Sequence, residues 1–100
     1  MKISTKLTAL DEKDIRYNRV KTLLEQRELA TLDDLYSILP KSVMATDLGL
    51  NPTRFSNFKS KSPGQFKLDE IILLSELIGI DLFILVDVFR NSIDKLKEKG

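Results

Sequence analysis

The sequence contains neither cysteine nor histidine. The absence of cysteine excludes disulfide bonds, thiolate metal ligands and cysteine nucleophiles. The absence of histidine removes the commonest general base and metal ligand. Two acidic pairs are made of adjacent residues, Asp33 with Asp34 and Asp69 with Glu70. On a helix the side chains of adjacent residues diverge, so these pairs favour a position at the helix N-terminus, where negative charge is stabilised, over a shared catalytic site. We therefore predict a protein that is not an enzyme and has no metal, no cofactor and no evident small-molecule ligand.

Long apolar runs are also missing. No run approaches the roughly 18 residues that a membrane span requires, and Met1–Leu10 lacks the apolar core and cleavage site of a signal peptide. We therefore expect a cytoplasmic protein without a membrane partner. A length of 100 residues, 42% of them apolar, fits one domain with one core. The expected boundaries are a flexible segment at 1–12, a helical domain at 13–96 and a flexible tail at 97–100.

Turn and strand signals are sparse. There are four glycines and three prolines, no Asn-Gly or Asp-Gly hairpin turn, and no sustained alternation of apolar and polar residues. Apolar spacing and capping residues instead predict an all-α fold, a compact bundle of five to six short helices. The predicted helices run from Asp11 or Asp14 to about Leu29, over Leu32–Leu39, Lys41–Leu48, Pro52–Lys59 and Leu68–Ile78, and from Leu82 to about Leu96, with a loop at Ser60–Phe66.

The segment Lys41–Lys61 predicts two short helices joined by a tight turn. Ala45 is small enough to let the second helix cross close to the first, and Gly49 can adopt the positive φ that ends a helix. Phe55 and Phe58 are three residues apart and are expected to share one buried face. The expected structural positions of the motif are Met44, Ala45, Leu48, Gly49, Leu50, Phe55 and Phe58.

The opposite face of the second helix is short, polar and uncharged. It carries Thr53, Ser56, Asn57 and Ser60, which can donate and accept hydrogen bonds as the base edges of the major groove require. The net charge of +1 hides a local imbalance, since residues 41–67 carry five basic side chains against Asp47 alone. Residues 68–88 carry five acids and no base. An ordinary solvated surface is one interpretation, but basic residues clustered beside this helix favour phosphate contacts.

These residues resemble a known family. Met44–Asn51, with the sequence Met-Ala-Thr-Asp-Leu-Gly-Leu-Asn, is similar to the leucine-alanine-x-x-leucine-glycine-valine-serine signature of Cro/repressor-type (XRE, lambda-repressor-like) helix-turn-helix proteins. Downstream, Leu68–Asp81 resembles the family's fourth helix and the turn that follows it. The resemblance covers Leu39–Val88, about half the chain, and agreement in both parts at the right separation is more specific than a turn alone.

The resemblance implies a lambda-repressor-like helix-turn-helix domain that binds double-stranded DNA and regulates transcription, usually as a two-fold dimer on a palindromic site. By position, Thr53, Ser56 and Asn57 would face bases. The residues expected at phosphates are Lys41, Asn51, Arg54, Lys59, Ser60 and Lys61.

The chain departs from the family pattern at several positions. Lys41 stands where glutamine is common, and Lys59 replaces the usual glutamate. Pro52 has no donor where many members carry a polar base-contacting residue. The segment Ala30–Leu39 intervenes after the long N-terminal helix, and we favour Asn18–Leu29 as the family's first helix.

The final helix is apolar on nearly all sides over Leu82–Phe89. A monomer of this size buries one stripe of a helix, so either the N-terminal helix or another subunit covers the second face. A homodimer interface would include Phe83, Val86, Phe89 and Ile93.

Two functions are therefore compared. The leading hypothesis is sequence-specific DNA binding by a transcriptional regulator. The alternative is a protein-interaction module on the same scaffold, such as an antitoxin or phage accessory factor.

Overall fold

The computed structural model describes residues 15–99, with only the backbone of Lys99. Within this range the regular elements are all helical and no strand is formed, which confirms the predicted all-α bundle. The predicted cap at Asp11 or Asp14 and the predicted flexible segment 1–12 lie outside the described residues. The α-helices are α1 (Arg16–Glu25), α2 (Leu32–Tyr36), α3 (Lys41–Asp47), α4 (Pro52–Asn57), α5 (Leu68–Ile78) and α6 (Leu82–Lys99), and two 3₁₀ turns, Lys59–Lys61 and Pro63–Gln65, lie between α4 and α5.

Helices α2 to α6 begin at the predicted residues and α5 ends at the predicted Ile78, but the other helix ends differ from the prediction, with α6 continuing to Lys99. The first helix stops at Glu25 rather than near Leu29, because Arg27 adopts a left-handed conformation with φ of 59°. The N–H groups of Arg27 and Glu28 then donate to the carbonyls of Leu24 and Leu23, at 3.1 and 2.8 Å. This closure is usually made by glycine, so the arginine gives no sequence signal for it.

A line of aromatic rings runs through the core. Tyr36 of α2, Phe55 of α4, Phe66 and Phe89 of α6 meet edge to face, with successive ring centroids 6.2, 5.8 and 4.8 Å apart. This is the arrangement that aromatic quadrupoles favour. Phe66 is buried and packs on Phe89 of the last helix. The rings therefore connect the helix-turn-helix segment to the rest of the bundle.

The start of α2 is fixed to α6 by polar contacts. The Leu32 N–H donates to the Ser92 hydroxyl at 2.8 Å, and the Asn91 side-chain amide donates to the Ala30 carbonyl at 3.0 Å. Thr31 and Asp34 form a reciprocal capping box at the helix start. The segment after α1 thus covers part of the surface of α6.

One residue of the predicted dimer interface was wrong. Phe89 is only 4% exposed and belongs to the core, because Phe66 and the neighbouring elements cover that side of α6. Ile93 is half-buried, whereas Phe83 and Val86 are 77% and 38% exposed. The apolar surface left open on α6 is therefore smaller than predicted. Within residues 15–99, no helix combines the length and the apolar character needed to cross a bilayer.

Candidate nucleic-acid interface

The turn between α3 and α4 has the geometry predicted for a helix-turn-helix. Gly49 has a φ of 76°. Its N–H donates to the Thr46 carbonyl at 3.1 Å, and the Leu50 N–H donates to the Ala45 carbonyl at 2.8 Å. These two bonds form a complete Schellman closure, which satisfies carbonyls that the end of α3 would otherwise leave unpaired. The turn fixes where α4 begins relative to α3.

The anchors of α3 lie in the core as predicted. Met44 and Ala45 are fully buried, Leu48 is 9% exposed, and Leu50 packs half-buried against the same core. Because α3 and α4 pack directly against each other, the methyl side chain of Ala45 allows their close approach.

A tyrosine of α1 contributes a contact that the sequence did not reveal. The Tyr17 hydroxyl donates to the Asp47 carboxylate at 2.8 Å, while its ring is fully buried. The bond connects α1 to the last residue of α3. It spans 30 positions of sequence, so no local pattern indicates it.

Helix α4 is short and is held by its first turn. The Asn51 Oδ1 atom caps the helix by accepting from the Arg54 N–H at 2.9 Å, and Pro52 follows at the first helical position. Phe55 is 2% exposed and fixes one face of α4 to the core. The cap uses the side-chain oxygen Oδ1 of Asn51. Its side-chain amide nitrogen Nδ2 is therefore the atom left for any phosphate contact.

The outer face of α4 is polar and accessible. Thr53, Arg54 and Asn57 are exposed, on the side of the helix away from buried Phe55. Ser56 is half-buried, and its backbone carbonyl accepts a bond from the Ser60 hydroxyl at 2.8 Å. Of the three predicted base-contacting residues, Thr53 and Asn57 are therefore exposed and Ser56 is half-buried.

The prediction that Phe58 is a buried anchor was wrong. Helix α4 ends at Asn57, and Phe58 has a φ of −125° and a ψ of −68°, outside the helical region. Its side chain consequently leaves the face occupied by Phe55 and is 69% exposed. The expected three-residue spacing applies only while the helix continues.

The predicted phosphate contact at Ser60 was also wrong. Ser60 is 5% exposed, and its hydroxyl proton is donated to the Ser56 carbonyl. The residue stabilises the 3₁₀ turn that follows α4.

Lys59, also predicted to contact phosphate, makes polar contacts within the protein instead. Its ammonium group lies 2.7 and 2.8 Å from the two carboxylate oxygens of Glu70 on α5, and 5.8 Å from the centre of the Phe66 ring. Lys59 belongs to the basic stretch 41–67 and Glu70 to the acidic stretch 68–88, and the fold pairs them across the boundary between the two. The pair offsets the charge of Lys59 and joins the 3₁₀ turn after α4 to α5.

Glu70 holds a second bond besides that pair, since its carboxylate accepts from the Lys67 N–H at 2.9 Å and caps α5. Burial would raise the pKa of Glu70, but the hydrogen bonds from Lys59 and Lys67 and the charges of both lysines lower it below its ordinary value of 4.5. The carboxylate is therefore held in its charged form, in which it can accept both bonds.

The remaining basic residues around α4 keep their positive charge accessible. Arg54 and Lys61 are exposed, and half-buried Lys41 lies with its ammonium group 5.3 Å from the centre of the Tyr36 ring. That tyrosine has a buried hydroxyl without a hydrogen-bond partner, and burial, followed by the charge of Asp33, raises its pKa.

The structure adds a residue that the sequence did not indicate. Lys95 of α6 lines a surface groove together with Lys41 and Lys61. The three lysines come from distant parts of the chain, so only the packing of α6 reveals the cluster. Among residues 15–99, no group of three acidic side chains is placed to hold a metal ion.

Comparison with known protein families, curated proteins and solved structures finds no match to this chain.

Proposed function

We propose that this protein binds double-stranded DNA in a sequence-specific manner, with α4 in the major groove, and that it acts as a transcriptional regulator. The observation that carries the proposal is the division of α4 into two faces. Phe55 is buried under the helix, whereas Thr53, Arg54 and Asn57 face solvent. A helix fixed on one side and polar on the other can present hydrogen-bonding groups to base edges.

The contacts around α4 refine the roles of its residues. Thr53 and Asn57 would contact bases, with a smaller contribution from half-buried Ser56. Arg54, Lys41 and Lys61 would contact phosphates, because the structure shows none of them paired with a carboxylate among residues 15–99. The proposal leaves out Lys59 and Ser60, because their side chains already bond to Glu70 and to the Ser56 carbonyl.

The experiment is selection of bound duplexes from a random DNA pool, followed by anisotropy titrations at several salt concentrations. We expect an enriched consensus and an affinity that falls as salt rises, because phosphate neutralisation releases counterions. Asn57→Ala should relax the sequence preference, and Lys61→Ala should weaken binding to all sequences alike. Lys97→Ala removes an exposed lysine outside the α4 region and serves as the control. No binding at low salt, or binding insensitive to salt, would contradict the proposal.

A second candidate is a protein-interaction module, which the exposed apolar side chains of α6 favour. Phe83 is 77% and Val86 38% exposed, and an open apolar surface commonly marks a contact with another protein. A partner recovered in a one-to-one complex, together with the absence of any DNA affinity, would favour this function over the first.

A further inference from the structure

A groove lies beside α3, between parts of the chain that are far apart in sequence. Its walls come from the start of α2, from Lys41 and the turn at Lys59–Lys61, and from the C-terminal part of α6. The floor is rigid, since Leu32, Ser60, Pro63 and Ser92 are all buried. The groove is therefore part of the packed fold and is formed before any ligand arrives.

Three lysines line this groove. Lys41, Lys61 and Lys95 face it, against Asp33 as the one acid of its lining. Within residues 15–99 none of the three is ion-paired with a carboxylate, in contrast to Lys59 with its partner Glu70. Three positive side chains around one concavity favour an anion of more than one charge.

The polar groups on the floor are already committed to the fold. The Ser60 hydroxyl donates to the Ser56 carbonyl, and the Ser92 hydroxyl donates to the Val88 carbonyl while accepting from the Leu32 N–H. Recognition consequently depends on the ammonium groups, each of which offers three donors and no acceptor. These donors favour a ligand that accepts hydrogen bonds and carries negative charge.

The size of the groove limits the ligand further. Its cavity volume is about 220 Å³, below the roughly 300–1,000 Å³ of sites that enclose drug-sized molecules. A phosphoryl or diphosphoryl group fits this volume better than a complete nucleotide.

A second groove, between α6 and the end of α1, provides a contrast. It is lined by Glu25, Asp87 and Asp94 together with Arg27 and Arg90, and Arg90 lies 4.0 Å from Asp94. Its charges nearly cancel, so a wide groove on this protein is not in itself attractive to anions.

We propose that the groove between Lys41, Lys61 and Lys95 is a binding site for a phosphate group. The same chemistry has two sources, a backbone phosphodiester of DNA or the phosphoryl group of a small phosphorylated molecule. The proposal assigns Lys95, on the last helix, to this site, and it does not depend on base recognition by α4.

The first experiment titrates the full chain with inorganic pyrophosphate at constant ionic strength and follows backbone amide chemical shifts. Lys95→Gln should weaken saturable binding by about three- to tenfold, as expected for loss of one charge-assisted hydrogen bond. Asp33→Asn removes the opposing charge and should strengthen it. Lys97→Gln makes the same charge change on α6 outside the groove and should leave the affinity unchanged. Thermal unfolding of each variant checks that the fold is retained.

The second experiment measures duplex DNA binding of the same variants over a salt series. If the phosphate belongs to DNA, Lys95→Gln should reduce the salt slope by about one contact, and Lys97→Gln should not. Saturable pyrophosphate binding without any effect on DNA binding identifies a small phosphorylated ligand instead, and it supports the site even if no duplex is bound. Equal behaviour of the Lys95 and Lys97 variants in both experiments would overturn the proposal.

Discussion

The chain contains two helix pairs with nearly the same connection, α3 with α4 and α5 with α6. In each pair the first helix ends at a left-handed glycine, Gly49 with φ of 76° and Gly79 with φ of 82°. The residue after each glycine donates its backbone N–H to a carbonyl of the preceding helix. The Leu50 N–H donates to the Ala45 carbonyl at 2.8 Å, and the Ile80 N–H donates to the Ser75 carbonyl at 3.0 Å. The backbone of the turn is therefore shared, and it does not by itself distinguish a DNA-contacting pair from any other.

The second helices of the two pairs differ in their open faces. Thirty positions apart, Phe55 and Leu85 are both buried, and Thr53 and Phe83 are both exposed. The exposed positions of α4 after Pro52 are polar or basic, whereas those of α6 include the apolar side chains of Phe83, Val86 and Leu96. What separates the pairs is the chemistry of equivalent outward positions, which is where a helix-turn-helix carries its specificity.

The largest expected effect comes from the ion pair that joins the two helix pairs. Glu70→Gln leaves the partly buried Lys59 ammonium without its carboxylate, and also weakens the cap on α5. We expect a loss of about 2–3 kcal/mol in the free energy of unfolding, measured by chemical denaturation. Glu76→Gln makes the same charge change at an exposed position of α5 and should alter stability by less than about 0.5 kcal/mol. Equal losses in both variants would contradict a specific role for this pair.

The same contact predicts a dependence on pH. The pKa of Glu70 is lower in the folded chain than its ordinary value of 4.5. Its stabilising contribution is therefore present above that value and is lost as the pH falls through the folded pKa. Denaturation midpoints between pH 6 and acidic pH should fall less steeply in Glu70→Gln than in the parent chain. An unchanged slope would show that Glu70 does not contribute to acid sensitivity.

The two glycines test whether the connections are equivalent. A Cβ at Gly49 meets no atom within 4 Å, and one at Gly79 meets the Lys21 side chain only at 3.8 Å. The cost of Gly49→Ala or Gly79→Ala is thus the left-handed backbone alone, about 1–2 kcal/mol in each case. Gly64→Ala, at a position with equal space and no positive φ, is the control and should be close to neutral. The measurement is equilibrium denaturation, and a large difference between the two turns would refute their equivalence.

Two tyrosines hold the first helix pair and should respond in opposite directions. Tyr17→Phe removes the bond to Asp47 and should destabilise the protein by about 1 kcal/mol, whereas Tyr36→Phe removes a buried hydroxyl without a partner and should stabilise it by about 1 kcal/mol. Thermal unfolding of both variants provides the comparison. A destabilised Tyr36→Phe variant would mean that its hydroxyl is satisfied in solution.

The sequence predicted the helices because their signals are local. Gly49, Asn51 and Pro52 each act within a few residues of where they stand, so the turn and the start of α4 were correct. The end of α4 was less well predicted, since the sequence places no glycine or proline at Phe58. Because the backbone leaves the helical conformation at Phe58, the ring is exposed, although the three-residue spacing from Phe55 predicted that it would be buried.

The differences at Lys59 and Lys95 arise from contacts between separate elements of the fold. Lys59 was assigned by its neighbours in sequence, but its charge is offset by Glu70 of another helix. Lys95 lines the groove with Lys41 only because α6 packs across the start of α2. Residue type gives the charge of a position, and tertiary packing decides whether that charge remains available.

The smallest expected effect tests the open face of the second helix pair. Phe83 is 77% exposed, so Phe83→Thr, which introduces the residue found at the equivalent position of α4, should change the free energy of unfolding by less than about 0.5 kcal/mol at low protein concentration. If this face binds a second copy of the chain, the parent midpoint should rise with protein concentration, because association stabilises the folded state. The variant should lose that dependence, whereas Thr53→Ser, the control on α4, should retain it. A midpoint independent of concentration in the parent chain would remove self-association through Phe83 and leave its exposed ring to another partner or to solvent.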